Sequence, residues 1–269
     1  MTESALPDRT HPATPPLLRI DGPVATVTLN RPARRNALHD EDLHALLSIF
    51  AKIDADPTIR VMVLAASTAG QRRPVFSAGY NLAGLDGADH GGPSLFERVP
   101  DALEALRPVT VCALRGSVYG GATDLVLACD LRVGLAGTEF RMPAAAIGLH
   151  YYPSGLRRYV SRLGVDTAKR AFLTARALPI ERLDALGLFE TLAADEATFD
   201  AALAGLVDTV AGLAPIAAQE MKRSLNDLAA GRDDLQALRA REARARSSED
   251  FAEGCAAVAQ KRAPRFTGH

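Results

Sequence analysis

Cysteine and lysine are both scarce in these 269 residues: three cysteines, at 112, 129 and 255, and four lysines. Three cysteines far apart, with no CxxC spacing, make neither a disulfide framework nor a zinc ligand set, and a reducing cytoplasm is the expected compartment. An excess of charge of one sign is lacking too. The 31 basic and 32 acidic residues leave a formal net charge of −1, which argues against a nucleic-acid stripe or a polybasic membrane patch. No apolar run reaches the ~18 residues of a membrane-spanning helix, and the N-terminus lacks the charged-then-apolar order of a signal segment. What is present, 48% hydrophobic and 23% charged residues, is the composition of a soluble globular protein, most simply an enzyme.

Residues 1–16 contain proline but no periodicity and read as a disordered tail. Alternating small and β-branched residues over 24–29 predict a strand. Asp40, ahead of Leu43, Leu46, Leu47, Phe50 and Ile53, predicts an amphipathic helix behind a capping residue. Residues 61–65 and 109–114 read as buried strands, and 85–93, rich in Gly and Asp, as a mobile surface loop. Strand and helix alternate to about residue 190, so 17–195 is expected to form an α/β core. Residues 196–269 read as helical, with segments at 199–213, 215–228 and 233–246, and the arginines of 239–246 as a solvated helix face.

Two glycine-containing segments stand at the ends of apolar strands. One is Phe76-Ser77-Ala78-Gly79-Tyr80-Asn81-Leu82; the other runs Gly116-Ser117-Val118-Tyr119-Gly120-Gly121-Ala122-Thr123-Asp124 into an apolar stretch. Glycine lets a backbone turn sharply and lets a ligand approach it, and a strand–Gly–helix junction aims N–H groups at negative charge. Neither segment matches a phosphate-binding glycine loop. Together the two junctions could direct two donors at one oxygen, an oxyanion hole. Each feature alone also has a plainer meaning: a tight turn for Gly120-Gly121, a packed aromatic for Tyr80.

Asn30-Arg31-Pro32 with Arg35-Asn36-Ala37-Leu38, the two glycine segments, Ala128-Cys129-Asp130 and Ser248-Glu249-Asp250-Phe251 occur in order. In these motifs the chain resembles the crotonase (enoyl-CoA hydratase/isomerase) superfamily, over nearly everything outside the tail. The resemblance implies an α/β fold, a spiral of strand–strand–helix turns, with C-terminal helices at 196–269 that build trimers, often paired into hexamers. It implies acyl-CoA thioester substrates, coenzyme A being part of the substrate, with no further cofactor and no metal. It also implies the site residues. The thioester carbonyl would accept from the backbone N–H groups of Tyr80 and Gly121, beside Gly79 and Gly120. Adenine would lie near the main chain of Ala78, by Ala37, and the phosphates by Arg34 or Arg35.

Departures from the family pattern bear on the reaction. Hydratases of this kind commonly use two glutamates. Asp124 stands where the first would be, one helical turn from Gly121; it reads either as a proton shuttle or as an acidic residue complementing a helix dipole. Ala144 stands where the second would be, and alanine moves no proton. The next segment, Leu149-His150-Tyr151-Tyr152-Pro153, is rich in aromatics. Four of the five tyrosines (80, 119, 151 and 152) lie in the site segments and imply an aromatic-walled pocket. In an extended stretch His150 and Tyr152 would point one way and Tyr151 the other. His150 reads as an acid or base, or as a structural hydrogen-bonding group. A tyrosine at 151 is similar to the methylmalonyl-CoA decarboxylases of the superfamily, whereas the family's dehalogenases carry Asp at the place of Tyr152.

Three functions stay open on the sequence. The first is a hydratase or isomerase in which Asp124 moves the proton, with Tyr151 or His150 as a second group. The second is a malonyl-CoA-type decarboxylase, which makes the same enolate without a general base. The third is a catalytically silent acyl-CoA-binding relative. Nucleic-acid and membrane partners are not expected.

Overall fold

A computed structural model describes residues 15–81 and 93–269. Apart from Pro15 and Pro16, the expected N-terminal tail lies outside the described residues; so does the expected loop 85–93 apart from Pro93.

The chain opens with an antiparallel pair, β1 (Leu17–Asp21) and β2 (Val24–Leu29), turned by Gly22 at φ 54°. Helix α1 (Asp40–Ala55) follows and buries Leu43, Leu46, Phe50 and Ile53 of the predicted stripe, while the predicted Leu47 is only partly buried and Ile49, not predicted, is buried. Its N-cap is His39, one residue before the predicted Asp40, and the Asp42 carboxylate accepts from the His39 N–H at 2.9 Å.

Three strand–strand–helix turns then wind along the molecule. The first is β3 (Val61–Ala66), β4 (Val75–Ser77) and α2 (Leu95–Ala105); the second is β5 (Val109–Leu114), β6 (Ser117–Tyr119) and α3 (Ala122–Ala128). The third is β7 (Leu131–Leu135), β8 (Glu139–Arg141), a 3-10 turn at Ala144–Ile147 and α4 (Pro153–Thr174), which is interrupted at Gly164. Each turn gives its first strand to one sheet and its second to another. The order is therefore β1-β2-β3-β5-β7-β10 in the larger sheet and β4-β6-β8-β9 in the smaller, with β9 at Leu178–Pro179 and β10 at Thr191–Ala193. The strands β3, β5 and β7 pair in parallel, as do β4, β6 and β8. This is the expected spiral.

The middle of the larger sheet is covered on both faces, so β3 reads as an unbroken apolar run and β5 as one interrupted only by the buried Thr110, rather than as alternating strands. One face packs against α1, α2 and α3; the other meets Phe199 and Val210 of α6 (Glu196–Ala211). Burying each such side chain is worth ~1.5–3 kcal/mol. Helices α7 (Pro215–Ala229), α8 (Leu235–Arg246) and α9 (Glu249–Gln260) complete the C-terminal region, after a short α5 (Ile180–Asp184).

Candidate active site

Strands β4 and β6 are neighbours, so the bends that follow them arrive side by side. Gly79 and Gly120 both adopt left-handed conformations, φ 94° and 56°, which glycine reaches without steric cost. The approach is close as well: a Cβ on Gly79 would stand 2.7 Å from the Tyr119 carbonyl and 3.3 Å from the Gly121 nitrogen. Only glycine allows this contact. The two segments singled out in the sequence, forty residues apart, therefore form one structure.

The flanking hydrogen bonds set the direction of the first bend. Leu38 donates to the Gly79 carbonyl at 2.9 Å and accepts from the Asn81 N–H at 2.8 Å, a parallel bridge to Tyr80. In such a bridge the N–H of Tyr80 itself turns away from Leu38. Leu38 is held in turn by the left-handed pair Arg35 and Asn36. The Asn36 side chain accepts from the Arg31 N–H and donates to the Ser67 and Val75 carbonyls. Across the gap, Gly120 donates to Arg141 at 2.9 Å, while the Gly121 N–H has no acceptor among the described residues.

A cleft of about 1460 Å³ runs along this edge. Arg34, Arg35, Ala37, Ala78, Gly79 and Tyr80 line it together with Arg72, Arg73 and Tyr119. The expected substrate-binding residues of the first motif thus meet in one place, and Arg72 and Arg73 add two cations that the sequence did not single out. The Ala78 N–H is already donated to Arg35 at 2.8 Å. Gly120, Gly121, Asp124, Ala144, His150 and Tyr151 are not among the residues lining this cleft.

Beyond Gly121 the surroundings are aromatic. The rings of Tyr80 and Phe96 lie 5.5 Å apart, Phe96 and Tyr152 6.2 Å, and Tyr152 and Tyr151 4.2 Å in a stack. The Tyr80 hydroxyl donates to Asp40 at 2.5 Å. Tyr119 stands apart, its hydroxyl 3.3 Å from Glu139. The alternation expected for Tyr151 and Tyr152 does not occur. Tyr152 is the N-cap of α4, still extended at φ −73° and ψ 157°, with Pro153 at the first helical position, yet the two rings stack and their hydroxyls bond, so both share one side. His150 is exposed. Ala144 is buried in the 3-10 turn.

Asp124 shows the largest difference from expectation. It is wholly buried, and both carboxylate oxygens are engaged. Arg158 of α4 donates Nε to Oδ1 at 2.9 Å and Nη2 to Oδ2 at 2.7 Å, and the Tyr152 hydroxyl donates to Oδ2 at 2.5 Å. Tyr151 donates to the Tyr152 oxygen at 3.0 Å. On its outer side Arg158 meets Asp101 and Glu104 of α2 at 2.8 and 3.1 Å. Burial alone would lower the guanidinium's pKa, but the bonds and charge of Asp124 and the α2 carboxylates raise it above the ordinary range. Burial, with the Asp124 charge added, pushes the Tyr151 and Tyr152 hydroxyls well up, so both are neutral phenols near pH 7. The carboxylate expected as a shuttle or a dipole partner therefore sits inside a buried ion pair.

The enoyl-CoA hydratase/isomerase family model matches residues 19–269. The chain belongs to this family. Enoyl-CoA hydratase domain-containing protein 2, mitochondrial, of Bos taurus is 30% identical over 257 residues, covering 91% of this chain and 84% of that protein. A Mycobacterium tuberculosis protein named probable enoyl-CoA hydratase echA6 is 31% identical over 246 residues, covering 91% and 96%. Among solved structures, an enoyl-CoA hydratase/isomerase from Marinobacter aquaeolei superposes with a TM-score of 0.78 at 26% identity, covering 93% of this chain and 98% of that one. Family membership, the crotonase fold and an enzyme of the crotonase type are consistent with the motifs read from the sequence. Arg158 and Phe96 were missed there; neither belongs to a motif, and nothing local marks them.

Proposed function

We propose that the protein is an acyl-CoA enzyme of the hydratase/isomerase type that holds the thioester carbonyl between the Tyr80 and Gly121 N–H groups. The contact of Gly79 with the Gly120–Gly121 bend carries this reading, because it puts the two junctions within one oxygen's reach of each other. Proton removal or bond cleavage next to a thioester collects charge on that oxygen as an enolate, and a well-placed donor stabilises it by ~3–4 kcal/mol. Coenzyme A would lie in the cleft, its phosphates among Arg34, Arg35, Arg72 and Arg73, with no separate cofactor or metal.

One observation favours a second reading. Asp124 has both oxygens occupied by Arg158 and Tyr152, and Ala144 offers no proton acceptor. Loss of CO₂ from a malonyl-type thioester delivers the electron pair of the breaking C–C bond straight into the enolate, without a base. Neutral tyrosines and apolar neighbours would desolvate the departing carboxylate. In the first reading Asp124 must exchange a partner for substrate; in the second it only holds the site together.

The readings separate on purified protein. Hydration of crotonyl-CoA bleaches the enoyl-thioester ultraviolet band, whereas methylmalonyl-CoA would release CO₂. Asp124→Asn would abolish hydration or isomerisation in the first case and spare decarboxylation per folded molecule in the second. Tight thioester binding without turnover of any acyl-CoA would leave the catalytically silent relative.

Exposed Met221, Leu225, Phe251 and Val258 gather on α7 and α9. They support the reading that copies of the chain associate through the C-terminal helices, as trimers or hexamers.

A further inference from the structure

We propose that Phe96 sets the length of acyl chain the protein accepts, closing the space beyond the Gly121 amide so that short acyl groups fit and long ones do not. This inference rests on the thioester being held between Tyr80 and Gly121. With coenzyme A in the arginine-lined cleft, which Phe96 does not line, the acyl group would leave the carbonyl on the side of Phe96, where a Cβ built on Gly121 would point. Three Phe96 ring atoms already occupy that direction, 2.5, 2.8 and 3.1 Å from such a Cβ. The end of the ring therefore lies against the Gly121 backbone. Phe96 is 7% exposed, and with Tyr80 on one side and the stacked Tyr152 and Tyr151 on the other it forms a continuous aromatic wall.

The ring is anchored through its helix. Phe96 is in the first turn of α2, where the Ser94 hydroxyl accepts from the Glu97 N–H at 3.2 Å. The Ser154 hydroxyl donates to the Glu97 carboxylate at 3.2 Å, tying α2 to the start of α4. Further along, Asp101 and Glu104 both hold Arg158. Moving the ring bodily aside means moving α2 against the buried ion pair. In a close-packed interior that is costly, so among the described residues Phe96 stands in the way of a long chain.

The test is calorimetric binding of CoA, acetyl-CoA, butyryl-CoA and decanoyl-CoA to the wild type, Phe96→Ala and Phe96→Leu. The wild type should bind butyryl-CoA about ten-fold or more tighter than decanoyl-CoA, Phe96→Ala should shift that ratio about ten-fold toward decanoyl-CoA, and Phe96→Leu should fall between. Equal binding of both esters by the wild type overturns the inference about Phe96 and leaves the thioester reading standing. An unchanged ratio in a folded Phe96→Ala or Phe96→Leu protein does the same. If no ester binds the wild type more tightly than CoA alone, the thioester reading fails and the inference fails with it. Should Phe96→Ala not fold, the wild-type ratio and the milder Phe96→Leu variant decide.

Discussion

Arg158 and Asp124 form a two-pronged ion pair in which both partners are buried, at 2% and 0% exposure. A buried pair of this kind adds little net stability over an apolar replacement, but breaking it is costly because one charge is left without a partner. Arg158→Met should therefore lower stability by ~3–5 kcal/mol, read as a fall in the urea midpoint. Asp124→Asn placed on top should restore part of the loss. If the double variant were no more stable than Arg158→Met, the carboxylate would not be the uncompensated group.

The two glycine bends give a sharper test of the proposed donor pair. Gly121→Ala and Gly121→Pro both push a Cβ toward Phe96, but only proline removes the N–H. The expected result is that Gly121→Pro loses a further ~10²–10³-fold in turnover relative to Gly121→Ala. Equal turnover of the two folded variants on the best substrate would argue against Gly121 as a donor.

Two buried phenols and a partly buried one make stability fall at high pH. Burial raises the pKa of Tyr151, Tyr152 and Tyr159 above the ordinary value of 10.0, with the Asp124 charge adding to the shift. Below pH 10 native and unfolded chains both keep these protons, so the three groups leave stability unchanged. Above it the unfolded chain ionises first and binds fewer protons than the native one. Stability then declines by up to ~1.4 kcal/mol per pH unit for each phenol until the native value is reached. In an alkaline titration the tyrosinate absorbance of these three residues should appear only together with unfolding. Their ionisation in a native protein, judged by far-ultraviolet circular dichroism, would contradict this.

The cations of the cleft should act through charge. Arg34 and Arg73 are exposed and line the space assigned to coenzyme A. Replacing both with alanine should weaken acetyl-CoA binding about ten-fold at low ionic strength and less at high salt, because solvent-exposed pairs are screened. A loss independent of salt would place the phosphates elsewhere.

Much of the fold was legible where the signal is local. The strands predicted at 24–29 and 109–114 coincide with β2 and β5, and α1 buries four of the five residues expected, Ile49 being buried where Leu47 was expected. Strand β6 was not legible, because three residues paired between β4 and β8 in a second sheet are too few to carry a periodicity of their own. The alternation expected at Tyr151 and Tyr152 failed because the rings stack and the Tyr152 hydroxyl is drawn to Asp124, contacts made in space that spacing along the chain does not record. At the site, Gly79 and Gly120-Gly121 could be singled out, since their conformational needs are written into the residue type. The state of Asp124 could not, because its spacing from Gly121 says where its carboxylate could reach and nothing about what already occupies it.

By itself, then, the amino-acid order determined the family, the spiral of strands and helices, and the two bends that meet at the site, because turns and periodic faces are governed by neighbours along the chain. Only the packing of α2, α3 and α4 decided that Asp124 is bound by an arginine 34 residues away and that the Phe96 ring lies against Gly121. Ion pairing and ring contact depend on separation in space, and that separation exists only once the helices have docked.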